Sequence, residues 1–269
     1  MSDEEFLKRV GRYCVAVVWQ DKLRDEHAPS GGIGFSAFIV SIGDRILLIT
    51  AGHIVERLRQ RQEAGRSLVG AAIYDAWTLK PLTKDGFGFS DIADAEQHFE
   101  YSDDLGVDYA WFELRDHHVE LLKANGIAPF SEVTWENPPE SSAFVGFNCF
   151  GFPSDINVER RDENGKFLGM RIKPRLIPYQ PAKPHEDLTE TKYPRLFFMP
   201  RGSKDGNVPE LDGMSGGPVL GYTMDGDNLR VWLLGVQSGQ ADNAPRVATV
   251  CPFPPLAKSI VQALAKRHQ

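Results

Sequence analysis

Gly213-Met214-Ser215-Gly216-Gly217-Pro218 sets a serine among glycines and closes the turn with a proline. Side chains this small leave a hydroxyl clear of its own backbone, as a nucleophile requires. They also let the amides of Gly213 and Ser215 point at one spot, where negative charge builds as a carbonyl is attacked. Glycine-rich turns around serine also occur as plain tight turns, so the run needs partners elsewhere in the chain.

Two upstream stretches supply them. Leu47-Leu48-Ile49-Thr50-Ala51-Gly52-His53 is an apolar strand that runs into small residues and delivers a histidine. Val107-Asp108-Tyr109-Ala110-Trp111-Phe112 puts an aspartate at the head of an aromatic-rich strand. A serine nucleophile needs a base to take its proton, and the base needs a carboxylate to fix its tautomer. Asp103 and Asp104 compete for the carboxylate role; Asp108 is preferred because the apolar strand follows it directly.

Thr50-Ala51-Gly52-His53, Asp108-Tyr109-Ala110 and the Ser215 run, in that order, resemble the three catalytic motifs of trypsin-like (chymotrypsin-fold) serine proteases. The resemblance covers roughly residues 13–267. It implies an all-β fold of two six-stranded antiparallel barrels with a C-terminal helix. His53 and Asp108 would lie on the first barrel and Ser215 on the second. It further implies Ser215 as nucleophile, His53 as general base and acid, Asp108 orienting His53, and the amides of Gly213 and Ser215 as oxyanion hole. Gly235-Val236-Gln237-Ser238-Gly239 matches the strand bordering the substrate, with Ser238 among the substrate-binding residues. Pro209 aligns with the pocket floor, where enzymes that cut after Arg or Lys carry aspartate. Arg246 aligns with a pocket wall, where it would favour an acidic substrate residue, or one position out of register with the surface.

The chain departs from the secreted members in two ways. Met214 stands where zymogen-type enzymes carry an aspartate that pairs with a newly freed N-terminus, and Ile54 stands where they carry a cysteine. In this respect the chain resembles bacterial intracellular and Deg/HtrA-type members. The oxyanion turn must then form by itself or be ordered by an activating partner or ligand.

Short strands separated by turn signals predict the layout. Residues 1–12 form an N-terminal helix or extension, 13–120 the first barrel and 121–141 a linker. Residues 142–253 form the second barrel and 254–269 a C-terminal helix. Residues 80–106 and 178–194 read as loops, and Glu163-Asn164-Gly165 as a two-strand turn.

Other classes fit less well. Gly213-Met214-Ser215-Gly216-Gly217 also matches the nucleophile elbow of α/β-hydrolases, but the sole histidine after Ser215 is His268, next to a fraying end. The adjacent His117 and His118 would point opposite ways on a strand, so they read as surface histidines and no metal or cofactor is expected. A net charge of −7 argues against binding nucleic acid or a membrane surface. The three cysteines, Cys14, Cys149 and Cys251, are odd in number and set among apolar neighbours. With an acidic N-terminal segment they suggest reduced thiols and a cytoplasmic protein. The partner expected is a protein or peptide substrate; the alternative is a catalytically silent binding protein on the same fold.

Overall fold

Alternating apolar residues bounded by glycine-containing turns build antiparallel strands throughout this chain. The computed structural model describes residues 3–23, 31–75, 99–154, 157–165, 167–184, 191–201, 211–241 and 246–266. Helix α1 (Asp3–Gly11) leads into β1 (Cys14–Leu23), β2 (Gly31–Ile42) and β3 (Arg45–Thr50). The β2–β3 turn is made by Gly43 at φ +59°, a conformation that glycine adopts without steric cost. Helix α2 (Gly52–Glu63), β4 (Arg66–Asp75), β5 (Phe99–Ser102), β6 (Val107–Glu113) and helix α3 (Asp116–Ala124) complete the first half. Its strands pair in the order β4-β1-β2-β3-β6-β5.

The second half contains β7 (Gly146–Gly151), β8 (Val158–Arg161), β9 (Phe167–Arg171), β10 (Arg175–Pro181) and β11 (Leu196–Pro200). It continues with β12 (Pro218–Asp225), β13 (Asn228–Gln240), β14 (Ala248–Pro252) and helix α4 (Phe253–Lys266). Six of these strands close a barrel in the order β10-β11-β14-β13-β12-β7, while β8 and β9 form a separate hairpin. The architecture is therefore all-β with a C-terminal helix, one half a closed barrel and the other a six-stranded sheet. Two closed barrels were expected; among the described residues, pairing closes only the second.

The terminal helices cross over. α4 follows the second barrel, yet its Phe253 lies against Phe38 of β2 and Trp135, with ring centroids 6.0 and 5.4 Å apart. α1 precedes the first sheet, yet Phe6 meets Tyr222 of β12 at 5.1 Å and Arg9 donates to the Leu229 carbonyl at 2.8 Å. One apolar cluster accordingly runs from Val15, Phe38 and Leu47 through Phe150 and Leu233 to Phe253 and Ile260. A second fills the barrel around Cys149, Tyr179, Met214 and Val250.

Several elements differ from the sequence reading. β5 lies within the expected 80–106 loop, and β10 runs into the start of the expected 178–194 loop. Asp108 sits inside β6, one residue past its start. The expected linker opens with the last turn of α3, and Phe130 closes it onto β2 by a bridge to Val40 while stacking on Tyr13 at 4.1 Å. His117 and His118 lie on α3, not on a strand, and His118 is buried. The three cysteines are free and buried.

Burial of His118, with smaller contributions from His117 and Arg115, pushes its pKa down to about 4. The unfolded chain takes up a proton there near the ordinary value of about 6.5, so the folded state loses stability as pH falls from that value towards 4. Denaturant titrations between pH 7 and 4 should show a shallower fall in stability for His118→Gln than for the parent. Equal slopes would mean that His118 is charged in the fold.

Candidate active site

α2 begins unusually tightly against the sheet. A Cβ on Gly52 would lie 2.4 Å from the Glu100 carbonyl and 2.8 Å from the Tyr109 carbonyl, so only glycine fits. That approach sets His53, the next residue, directly over β6. Both oxygens of Asp108 serve it: Oδ2 lies 2.8 Å from the ring Nδ1, and Oδ1 accepts the His53 backbone N–H at 2.8 Å. An ionised carboxylate only accepts, which assigns the proton to Nδ1 and leaves Nε2 as the acceptor. The Asp108 side chain is 4% exposed and that of His53 13%. Asp103, the rival carboxylate, instead accepts from Tyr101 at 3.0 Å. Burial pushes the neighbouring Cys251 thiol up to about 11, so it adds no second negative charge beside Asp108.

The turn that carries Ser215 is fixed from three sides. Gly213 and Gly216 adopt φ +83° and +86°. The backbone of Gln237 accepts from Gly216 N–H at 2.8 Å and donates to the Gly217 carbonyl at 2.9 Å. The Met214 side chain is wholly buried in the barrel core. From the first sheet, Ser36 Oγ donates to the Gly213 carbonyl at 2.7 Å and accepts from Phe152 N–H at 2.9 Å. Thr50 Oγ1 in turn donates to the Ser36 carbonyl at 2.9 Å. The Gly213 carbonyl is thus drawn towards Ser36. Among the described residues, the amides of Gly213 and Ser215 have no hydrogen-bond partner.

His53, Asp108, Gly213, Ser215 and Ser238 line one cleft of about 890 Å³. No hydrogen bond joins Ser215 to His53 among the described residues; such contacts are often long without substrate and tighten on binding. Ser238 falls at a register shift in the β13–β14 pairing and donates to the Thr249 carbonyl at 3.0 Å. Arg246 is half-buried just before β14 and is not among the residues lining the cleft. Pro209 lies outside the described residues.

Four contributors escaped the sequence reading in these roles. Ser36 carried a weak signal, as a small polar residue inside the apolar strand Phe35-Ser36-Ala37-Phe38. Thr50 belonged to the histidine motif without a role of its own, and Gln237 to the strand bordering the cleft. Arg195, which also lines the cleft, follows a proline at the end of a polar stretch and carried no signal.

No protein-family model matches the chain, and no curated protein matches it. Among solved structures it is similar in shape to the Rv3671c protease from M. tuberculosis in its active form. That likeness has 14% identity and a TM-score of 0.46, over 96% of this chain and 84% of that one. The thermostable serine protease AL20 from an extremophilic microorganism shares 14% identity at a TM-score of 0.45, over 91% and 93%. The protease Anisep from Arthrobacter nicotinovorans shares 11% identity at 0.44, over 90% of each chain.

Ser36→Ala would leave the Gly213 carbonyl and the Phe152 amide unpaired at a buried junction. The expected loss of stability is about 1–3 kcal/mol by denaturant unfolding. A loss under about 0.3 kcal/mol would show that the hydroxyl is not holding the turn.

Proposed function

We propose that this chain is a serine endopeptidase that cleaves protein or peptide substrates through an acyl-enzyme. The observation that carries the reading is the doubly bonded Asp108–His53 couple in one cleft with Ser215 and two unpaired amides. In this mechanism Ser215 Oγ attacks the scissile carbonyl and His53 Nε2 takes its proton. The tetrahedral oxyanion lies against the amides of Gly213 and Ser215. His53 then passes the proton to the leaving amine as the C–N bond breaks. Water, deprotonated by the same nitrogen, attacks the acyl-enzyme, and Ser215 recovers its proton as the acid product departs.

Activity without proteolytic processing is part of the proposal. Met214 is anchored in the core and the turn is held by Ser36 and Gln237, so no newly freed amine is needed to shape it. This supports a reading in which the chain works like trypsin-like enzymes that lack zymogen activation. Free, buried cysteines support an intracellular setting. No helix among the described residues is long and apolar enough to cross a membrane.

The missing Ser215–His53 hydrogen bond favours a second reading, a protease-fold protein that binds peptides without turning them over. Incubation with casein and a peptide pool, read by mass spectrometry, separates the two. The expected result is cleavage by the parent protein and less than about a thousandth of that rate for Ser215→Ala. Asp108→Asn should lower turnover by on the order of 10⁴-fold, because it lets the imidazole take the wrong tautomer. Peptide binding with no cleavage by the parent would establish the silent alternative.

A further inference from the structure

Arg195 is the one arginine among the cleft-lining residues whose guanidinium is buried. It immediately precedes β11, whose first residue, Leu196, pairs with Val250 of β14. Its side chain is 11% exposed. Only Nη2 makes a contact among the described residues. It lies 3.5 Å from the Asp103 carbonyl and 3.6 Å from the Asp103 carboxylate, which is itself 75% exposed. Nε is buried and has no hydrogen-bond partner among the described residues. The carboxylate of Asp108 is committed to His53 and does not serve Arg195.

A buried guanidinium with an idle donor is unfavourable unless something completes it. Among the described residues its one ion pair, with Asp103, is long and solvent-screened, hence weak. The remaining donors form a planar fork, which suits the two oxygens of a carboxylate better than any neutral group. Ser238, Gly239, Gln240 and Thr249 line the same cleft as Arg195 and Ser215. A peptide lying along β13 to reach Ser215 therefore passes within the arginine's surroundings. Gln240 Oε1 is a second buried, unpartnered atom in this cleft, ready to accept a substrate N–H.

We infer that Arg195 is a specificity-determining residue that binds an acidic side chain, Asp or Glu, of the peptide substrate close to the scissile bond. This rests on the protease reading for its setting but not for its test. It moves the expected acid recognition from Arg246, which does not line the cleft, to a residue that does. Asp103 then acts as a placeholder at the rim, holding the guanidinium in position until the substrate carboxylate arrives.

The experiment uses matched peptides, acetylated at the N-terminus and amidated at the C-terminus, so that side chains carry the only carboxylates. Each position around the cleavage site is varied between Glu and Gln and between Asp and Asn. The full-length protein should prefer the acid at one position by roughly tenfold or more in kcat/KM, the size expected of a hydrogen bond to a charged group. In Arg195→Gln that ratio should fall to about one. Arg195→Lys, which keeps the charge but loses the fork, should fall between them and guards against misfolding of the glutamine variant. Binding of the same pairs to Ser215→Ala, by fluorescence anisotropy, gives a readout that needs no turnover. Acid-selective binding that disappears in Ser215→Ala/Arg195→Gln supports the inference even if the parent never cleaves, in which case only the protease reading fails. No acid preference in cleavage or binding overturns it. So does a preference that survives Arg195→Gln and is lost in Arg246→Ala.

Discussion

Gly216 and Thr50 touch across the joint between the sheet and the barrel, and that contact sets where everything else in the site lies. A Cβ on Gly216 would stand 2.1 Å from Thr50 Oγ1 and 2.3 Å from the Ser36 carbonyl. No side chain fits there, and no water can come between. Ser215 is one residue before this contact on the barrel side, and His53 is three residues after it on the sheet side. The relation between Ser215 and His53 is therefore fixed by one backbone approach and very short tethers. The proposed catalysis would tolerate errors of about an ångström at most, and a joint with no slack is a direct way to meet that demand.

The rest of the fold keeps the joint closed. α1 and α4 each pack on the half to which they are not adjacent in sequence, so the halves cannot separate without exposing Phe6 and Phe253 together. Gln237 adds a clamp from within the barrel. Its backbone brackets Gly216 and Gly217, and its side chain accepts from Tyr179 at 2.9 Å and donates to the Gly239 carbonyl at 2.8 Å. The same residue thus ties the Ser215 turn to the register shift that displaces Ser238. Against this rigidity, the amides of Gly213 and Ser215 have no hydrogen-bond partner among the described residues. Backbone donors left free in an otherwise satisfied turn are what the proposed oxyanion hole requires.

Much of this was legible in the sequence because the decisive residues are local. Small residues flank both His53 and Ser215, and their spacing reports tight turns whatever surrounds them. The hairpin β8–β9, with its strong Asn164-Gly165 turn, fell where the pattern put it. The elements that were missed lacked a local signal. β5 is four residues long and merges with polar neighbours. β10 contains Pro178, which reads as a breaker. It is tolerated where the ladder to β11 has ended, and its carbonyl accepts the Arg201 N–H. α3 follows Arg115, with no serine, threonine or aspartate cap, so the helix went unread and straddles the expected boundary between first barrel and linker. Ser36 acts across more than a hundred residues of chain and Arg195 through the partner its Nε lacks among the described residues, and neither property is written in a neighbourhood of sequence.

The account stands on Ser215 being a nucleophile activated by the Asp108–His53 couple. Reaction with a fluorophosphonate probe, mapped by mass spectrometry, tests this without any knowledge of the natural substrate. The expected result is one covalent adduct per chain, located on Ser215 and absent from Ser215→Ala and from His53→Ala. No adduct on the folded protein, or an adduct at another residue that persists in both variants, would contradict it.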